Sequence, residues 1–515
     1  MKVSPVVTPA SPTAIQYDRR LDVVRTPSTR LMLNLSLESL EHMRVELPAT
    51  APPPSKVMPG GIPDRHAILM QTVRASNEQL YAVNPSIVLL PPRLRWKLDG
   101  AVYAAVLRVG NHNNCIMQAQ RMPRTCITLV GFRLLDGSLE PMPGREAIVG
   151  WDGLMTRCAK MPYEDCRLSV EQTHGEVARL LLLCKNHLHR ITLELDDEAH
   201  RLPVTARFDC APPLVCPRSG TPSEAAHGSV PAAMRHVVRG GLRVVLESVE
   251  PTRLPVHGKN FNLFSIDNRR DGLHLEEWVL GPKTPRNLSD ARSAYKATPA
   301  PGRRLHAVYS LASLAAGAHS GPQAADGSRN RGTSRVGVQS VSSGFYLTTE
   351  SAALLGPAYP WKIAFGPRMP ARAHGGGCCI RLQLPFAGKR WMVTPAPPRE
   401  GSNELAGDLM LGILHYKLDR MQYLQQLYAF QAAPPFEMVA LSRPFCWRDR
   451  STKGPRLYRR GRTYTCPYIQ MTMSITPSLH NSTEVVLASG MNDCTSRVIV
   501  ADVNDLLEQV QMKLS

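Results

Sequence analysis

Apolar residues in this chain come in short runs, most of them five to eleven residues long, and turn residues divide them. Between Arg30 and Leu47 the pattern alternates, with Leu31, Leu33, Leu35 and Leu37 on one side of a period-two register, which predicts a strand. Ser86 to Leu90, Ala101 to Val109, Thr125 to Leu135 and Leu242 to Val249 read the same way. Arg179 to Cys184 and His187 to Leu195 flank Lys185-Asn186, and that arrangement predicts a hairpin. The strand-like pattern resumes from Met471 to Val500. The period then changes: Leu506, Leu507, Val510 and Leu514 share one helical face, and Asp502 is the candidate N-cap.

One stretch reads two ways. From Glu404 to Gln431, Leu405, Leu409, Ile413, Leu414, Leu418, Met421, Leu424 and Leu427 fall near helical spacing. Gly407, Gly412 and Pro434-Pro435 favour strands and turns instead.

The polar stretches suggest boundaries. Residues 1–29 read as a flexible arm, and residues 281–335, rich in Pro, Gly, Ser and Ala, have the composition of a disordered linker. The expected class is mainly β. A first β-rich unit spans 30–280, a second spans 336–500, and a short C-terminal helix lies in 501–515.

Composition adds a partner class. The 515 residues carry 61 Lys+Arg against 42 Asp+Glu, a net charge of +19, which suits a polyanion and says nothing about fold. No run reaches the ~18–20 apolar residues of a membrane helix. The start, Met1-Lys2-Val3-Ser4-Pro5, lacks the apolar core of a signal peptide, so the 12 cysteines are expected to be reduced.

The charge is concentrated. Arg443, Arg448, Arg450, Lys453, Arg456, Arg459, Arg460 and Arg462 stand against the single acid Asp449, with Phe445, Trp447, Tyr458, Tyr464 and Tyr468 interleaved. Cations neutralise phosphates and aromatic rings stack bases, so this segment is the candidate nucleic-acid site. Its Lys453 to Arg462 part also reads as a nuclear-import signal. The competing reading is a solvated loop between strands, with Pro444 and Pro455 favouring exposure.

Other chemistry is sparse. There is no phosphate-binding Gly-x-x-x-x-Gly-Lys-Ser/Thr and no Gly-x-Ser-x-Gly elbow. Gly375-Gly376-Gly377 reads as a flexible turn. Cys184, His187 and His189, and His112 with Cys115, lack zinc spacing and read as structural. Adjacent Cys378 and Cys379 would point to opposite faces of a strand. No metal or cofactor is expected.

The order of motifs from Ser343-Gly344-Phe345-Tyr346-Leu347, through Trp361 to Phe365, Cys378 to Pro385, Gly407 to Leu414 and Tyr423 to Leu427, to Pro434 to Val439, resembles the trimeric-type dUTPase sequence. The fused two-unit plan is similar to that of the herpesvirus dUTPase-related family, and the basic, proline-rich character fits its betaherpesvirus members. Two dUTPase-like β-barrel or jelly-roll units are what this resemblance implies. The chemistry is missing: Tyr346 stands where the family has its metal-side aspartate, and there is no carboxylate near Gly401. Leu405 replaces the sugar-stacking tyrosine and Ala406 the arginine. The glycine-rich tail is absent, and a triphosphate hydrolase without its base has no mechanism. The resemblance therefore implies a catalytically degenerate, non-enzymatic viral regulatory protein of the host nucleus, with RNA or DNA and viral or host regulatory proteins as partners. The alternative it leaves is a tegument-type structural or interaction protein without nucleic-acid binding.

Overall fold

The computed structural model describes residues 28–38, 80–110, 125–150, 155–157, 164–171, 179–185, 187–196, 235–247, 261–265, 273–278, 304–310, 345–346, 372–384, 390–394, 408–417, 423–433, 436, 438–443, 445–447, 456–459, 462–465, 469–512 and 514. Strand β1 (Leu31–Asn34) is followed by the first sheet: β2 (Tyr81–Leu89), β3 (Tyr103–Gly110), β4 (Thr125–Leu135) and β5 (Pro141–Gly150), with β6 (Met155–Arg157) beside β4. Helix α1 (Pro92–Lys97) joins β2 to β3. The second sheet holds β7 (Arg167–Glu171), β8 (Arg179–Cys184) and β9 (His187–Leu195). β10 (Arg235–Gly240) and β11 (Leu242–Glu247) form one ribbon, the former pairing β5 and the latter β9, so it stitches the outer edges of the two sheets. Gly241, at φ 78°, makes the switch that a side chain would resist.

The third sheet contains β12 (Asn262–Ser265), β13 (Leu273–Trp278), β14 (Arg304–Ser310) and β15 (Phe345–Tyr346). In the fourth, β16 (Arg372–Gly375) and β17 (Ile380–Gln383) lie end to end along β19 (Leu409–Lys417). β18 (Met392–Thr394) flanks β17, while β20 (Tyr423–Gln431) and β21 (Met438–Leu441) extend the sheet outward. A separate hairpin follows, β22 (Arg456–Arg459) with β23 (Arg462–Thr465). The fifth sheet is β24 (Gln470–Pro477), β25 (Glu484–Met491) and β26 (Thr495–Asp502), closed at its edge by β1; helix α2 (Val503–Gln509) ends the chain's regular structure.

These sheets pack face to face in a propeller-like ring. Val88, Phe132, Val149, Leu180 and Leu182 fill the layer between the first and second sheets. Ile87, Ala105, Leu107, Val486 and Val498 fill that between the first and fifth. Leu411, Leu427, Leu487, Ile499 and Leu506 fill that between the fourth and fifth. Phe264 of the third sheet meets Phe430 and Phe436 of the fourth at 5.6 and 6.2 Å. On the other side, Ser169 Oγ of the second sheet donates to Leu263 O, closing the ring. Both faces of most sheets are thus covered, which is why Tyr103–Leu107 reads as an unbroken apolar run. Each fully buried leucine in these layers contributes about 1.5–3 kcal/mol over an exposed one.

The inner strands run in one direction. Ile87 N donates to Ser474 Oγ and Leu89 N to Thr476 Oγ1, so β2 and β24 advance together. A Cβ on Gly376 would sit 2.5 Å from Ile413 O, and one on Gly377 would sit 2.6 Å from Ser474 C. The ring therefore has a near end, where inner strands begin, and a far end, where they finish.

The mainly β expectation holds, and Glu404 to Gln431 resolves to β19 and β20. Asp502 caps α2 by accepting from the amides of Asn504 and Asp505. The two-unit layout does not describe these sheets. β1 of the expected first unit pairs Leu33 with Val498 in the last sheet, where it satisfies the open backbone edge of β26. β14 lies inside the expected 281–335 linker, held by β13 on one side and β15 on the other. Gly375-Gly376-Gly377 is a close-packed axial crossing, not a flexible turn. Residues 1–27 of the arm, Gly401, Leu405, Ala406, His112 and Cys115 lie outside the described residues, while Ser28 Oγ accepts from Gln509 Nε2 at 2.7 Å.

Two cysteine expectations are also corrected. Cys166 and Cys184 are disulfide-bonded, 4.1 Å apart at Cα, because the β7–β8 register sets them opposite each other. Cys378 and Cys379 precede β17 with their side chains together instead of facing apart.

Candidate nucleic-acid interface

The basic segment is an insertion with a fixed root. Arg443 is exposed, and its amide donates to Val510 O at 2.9 Å. Phe445 exchanges backbone bonds with Gln425 at 2.8 and 2.9 Å, and both Phe445 and Trp447 are fully buried. Trp447 donates its amide to Gln470 Oε1 at 2.8 Å and its indole Nε1–H to Thr472 Oγ1 at 3.0 Å. The chain leaves at Trp447 and returns at Ile469, at the near end of the ring.

Between these points the described backbone includes the β22–β23 hairpin. Its register sets Arg456 opposite Thr465 and Arg459 opposite Arg462. Arg456, Arg459 and Arg462 are thus brought onto one two-stranded ribbon, and Arg443 stands at its base. Arg448, Arg450, Lys453 and Arg460 lie outside the described residues, as does Tyr468. Phe445 and Trp447 are removed from the candidate stacking set, because core packing claims both rings. Tyr458 and Tyr464 sit on the hairpin itself.

Beneath the near end lies a charged cluster that sequence reading missed. Arg108 of β3 lies 3.5 Å from Asp165, 3.7 Å from Asp493 and 4.0 Å from Glu164. Burial alone would lower the Arg108 pKa, but the carboxylates of Asp493, Asp165 and Glu164 outweigh it and raise it. Asn84 donates to Asp165 and Asp493 at 2.9 and 3.2 Å, and Lys185 reaches Glu164 at 3.3 Å. Each carboxylate here is already engaged, so the cluster joins the first, second and fifth sheets and offers no open base. Tyr423, stacked on His415 at 5.3 Å, has its phenol pushed up by burial first and by these carboxylates second.

Arg167 sits deeper on the axis. It donates to Phe261 O at 3.1 Å, to Gly375 O at 2.9 Å, and to Gly376 O and Asn262 Oδ1. Burial lowers it to about 10, against the opposing pull of Asp165, Tyr428 and Glu276, and it stays charged at neutral pH. Its sequence signal is weak: an arginine opening the short alternating strand Arg167–Glu171. Nearby, Glu276, Cys378 and Cys379 bring three potential metal-ligand atoms within 4.8 Å. Only three donors gather here and Glu276 already accepts from Asn262 Nδ2 at 2.7 Å, so the set falls short of the four ligands of a structural zinc site. His187 and His189 remain strand residues of β9, beside the disulfide-bonded Cys184.

No family model matches the chain, and no curated protein matches it in sequence. Among solved structures it is similar to a hypothetical protein from Leishmania major, at 10% identity over 82% of this chain and 86% of that one, with a TM-score of 0.31. It is also similar to MPT-4, a mannose phosphorylase from Leishmania mexicana in complex with phosphate ion, at 11% identity over 87% and 96%, with a TM-score of 0.29. At these scores neither likeness bears on what this chain does.

Proposed function

We propose that this is a non-enzymatic regulatory protein that binds RNA or DNA through the 443–462 insertion and works in the nucleus of an infected cell. The observation that carries the reading is the anchored insertion: its root is sewn into the core at Phe445, Trp447 and Gln470, while Arg456, Arg459 and Arg462 lie on a hairpin outside the ring's sheets. A rigid root with a cationic ribbon holds its charges close together, which suits a phosphate backbone. Kinship to the dUTPases with lost chemistry belongs to the same proposal and rests on the motif order from Ser343 to Val439. The tegument-type reading applies if the insertion binds no nucleic acid.

The test is binding of labelled single-stranded RNA and duplex DNA across a salt series. Changing Lys453, Arg456, Arg459, Arg460 and Arg462 to alanine should weaken binding to all sequences alike. The salt slope should shrink by up to about one unit per lost phosphate contact. Nuclear accumulation should fall with it. An unchanged slope and unchanged nuclear entry would sink the proposal, as would release of pyrophosphate from dUTP by the purified protein.

A further inference from the structure

Five large apolar side chains are markedly exposed among the described residues: Leu31 at 41%, Trp96 at 86%, Leu384 at 50%, Met392 at 38% and Leu479 at 36%. All five lie toward the far end of the ring, Leu31 on the outer edge strand β1 opposite Val500. Trp96 is on α1, directly after β2 ends. Leu384 follows the last residue of β17, and Met392 pairs with Gln383 at that same level. Leu479 lies just beyond β24.

The loop 478–483 joins these points. Leu479 N donates to Tyr103 Oη at 2.9 Å, next to the end of β2, and His480 Nε2 meets Gly137 O at 2.9 Å. On its other side, Val393 N donates to Ser482 O at 2.6 Å, tying the loop to the residue after Met392. An axial cavity of about 160 Å³ lies under this rim, lined by Leu89, Val170, Ser265, Arg381, Thr476 and Pro477 among others.

We infer that this far-end rim is a docking face for an acidic peptide with apolar anchors, seated on Trp96, Leu479, Met392 and Leu384. Water-exposed tryptophan and methionine flanked by cations are what interface centres are enriched in. The charge selects the occupant. Exposed Arg93 and Lys97 flank Trp96 on α1, whereas Arg390 is already paired with Asp502 at 3.2 Å and Asp505 at 3.8 Å. Asp99 is held by Arg145 at 3.2 Å, and Asp502 by the helix cap it forms, so these local acids are already engaged. A second copy of this chain would bring the same net +19 to the contact and be repelled. Aliphatic Leu384, Met392 and Leu479 offer nothing for a base to stack on, so the rim favours protein over nucleic acid.

The probes are fluorescent twelve-residue peptides titrated against the full chain. One alternates Glu or Asp with Leu and Phe, one replaces its acids by Lys, and one is oligoglutamate without apolar residues. The first should bind, and the other two should not bind measurably. Trp96→Ala should weaken it by about 30-fold or more, the scale of a hot-spot residue. Lys97→Glu should weaken it several-fold, and neither variant should change RNA or DNA binding or the melting temperature. The inference is overturned if Trp96→Ala together with Leu479→Ser binds the first peptide as wild type does. Equal binding of oligoglutamate would overturn it in favour of charge alone. A concentration-dependent dimer abolished by Trp96→Ala would overturn it in favour of self-association.

Discussion

The two ends of the ring solve opposite problems. At the near end the charges are turned inward: Arg108, Asp165 and Asp493 are largely buried and matched to one another, and Trp447 is fully buried. At the far end Trp96 stands 86% exposed, and the ion pairs Arg390–Asp502 and Arg145–Asp99 lie at the surface. Buried charge is tolerated only when paired, and an exposed tryptophan is stable only because the remaining contacts hold the fold without it. The buried network of the near end therefore holds the fold and the root of the insertion, whereas the far end leaves large apolar side chains open to solvent.

That contrast can be broken most severely on the axis. Arg167→Ala would strand the carbonyls of Phe261, Gly375 and Gly376, and at ~1–3 kcal/mol for each unmet group the loss should be about 5 kcal/mol. Urea unfolding measures it, and a loss near zero would mean the axis does not join the sheets. Trp447→Ala should cost about 3–5 kcal/mol by emptying a packed site at the root of the insertion. The far-end Trp96→Ala should stay within ~0.5 kcal/mol, and a comparable loss there would erase the contrast.

Acid should distinguish the ends next. At the near end, burial, with a smaller push from His187, lowers His189 from the ordinary 6.5 to about 4. The unfolded chain then binds the extra proton first, so stability is full above pH 6.5 and is lost as pH falls towards 4, by about 3 kcal/mol at most. His189→Gln should flatten this slope. At the far end, burial would raise Asp502, but hydrogen bonds from Thr483 and the amides of Asp505 and Asn504, with Arg390, hold it below 3.8. Its contribution is present above that value and lost only as pH falls through the lower folded pKa. Amide exchange followed from pH 7 to 4 should therefore show β9 loosening while α2 stays protected. The smaller effect is Asp502→Ala, about 1 kcal/mol for a lost N-cap, read from thermal melting.

The sequence by itself determined the strands, the β8–β9 hairpin, the capped C-terminal helix and the cationic segment. Each is a local matter: side-chain period, a turn dipeptide, a cap residue and a run of like charge all act within a few residues. Glu404 to Gln431 stayed ambiguous because Leu409, Ile413, Leu424 and Leu427 suit either period, and only the pairing of Ile413 with Leu427 settled it. Tertiary structure alone decided the rest. Leu31–Asn34 joined the last sheet, hundreds of residues away, because that edge was open and apolar. Phe445 and Trp447 look like base-stacking rings in the sequence, and the core buried them. Gly376 and Gly377 look like a hinge, and the backbones of β19 and β24 left them no room for a side chain. Trp96 drew no notice in the sequence, since one tryptophan among arginines has no period. Its exposure is a property of the finished surface, set by which faces the other sheets had already covered.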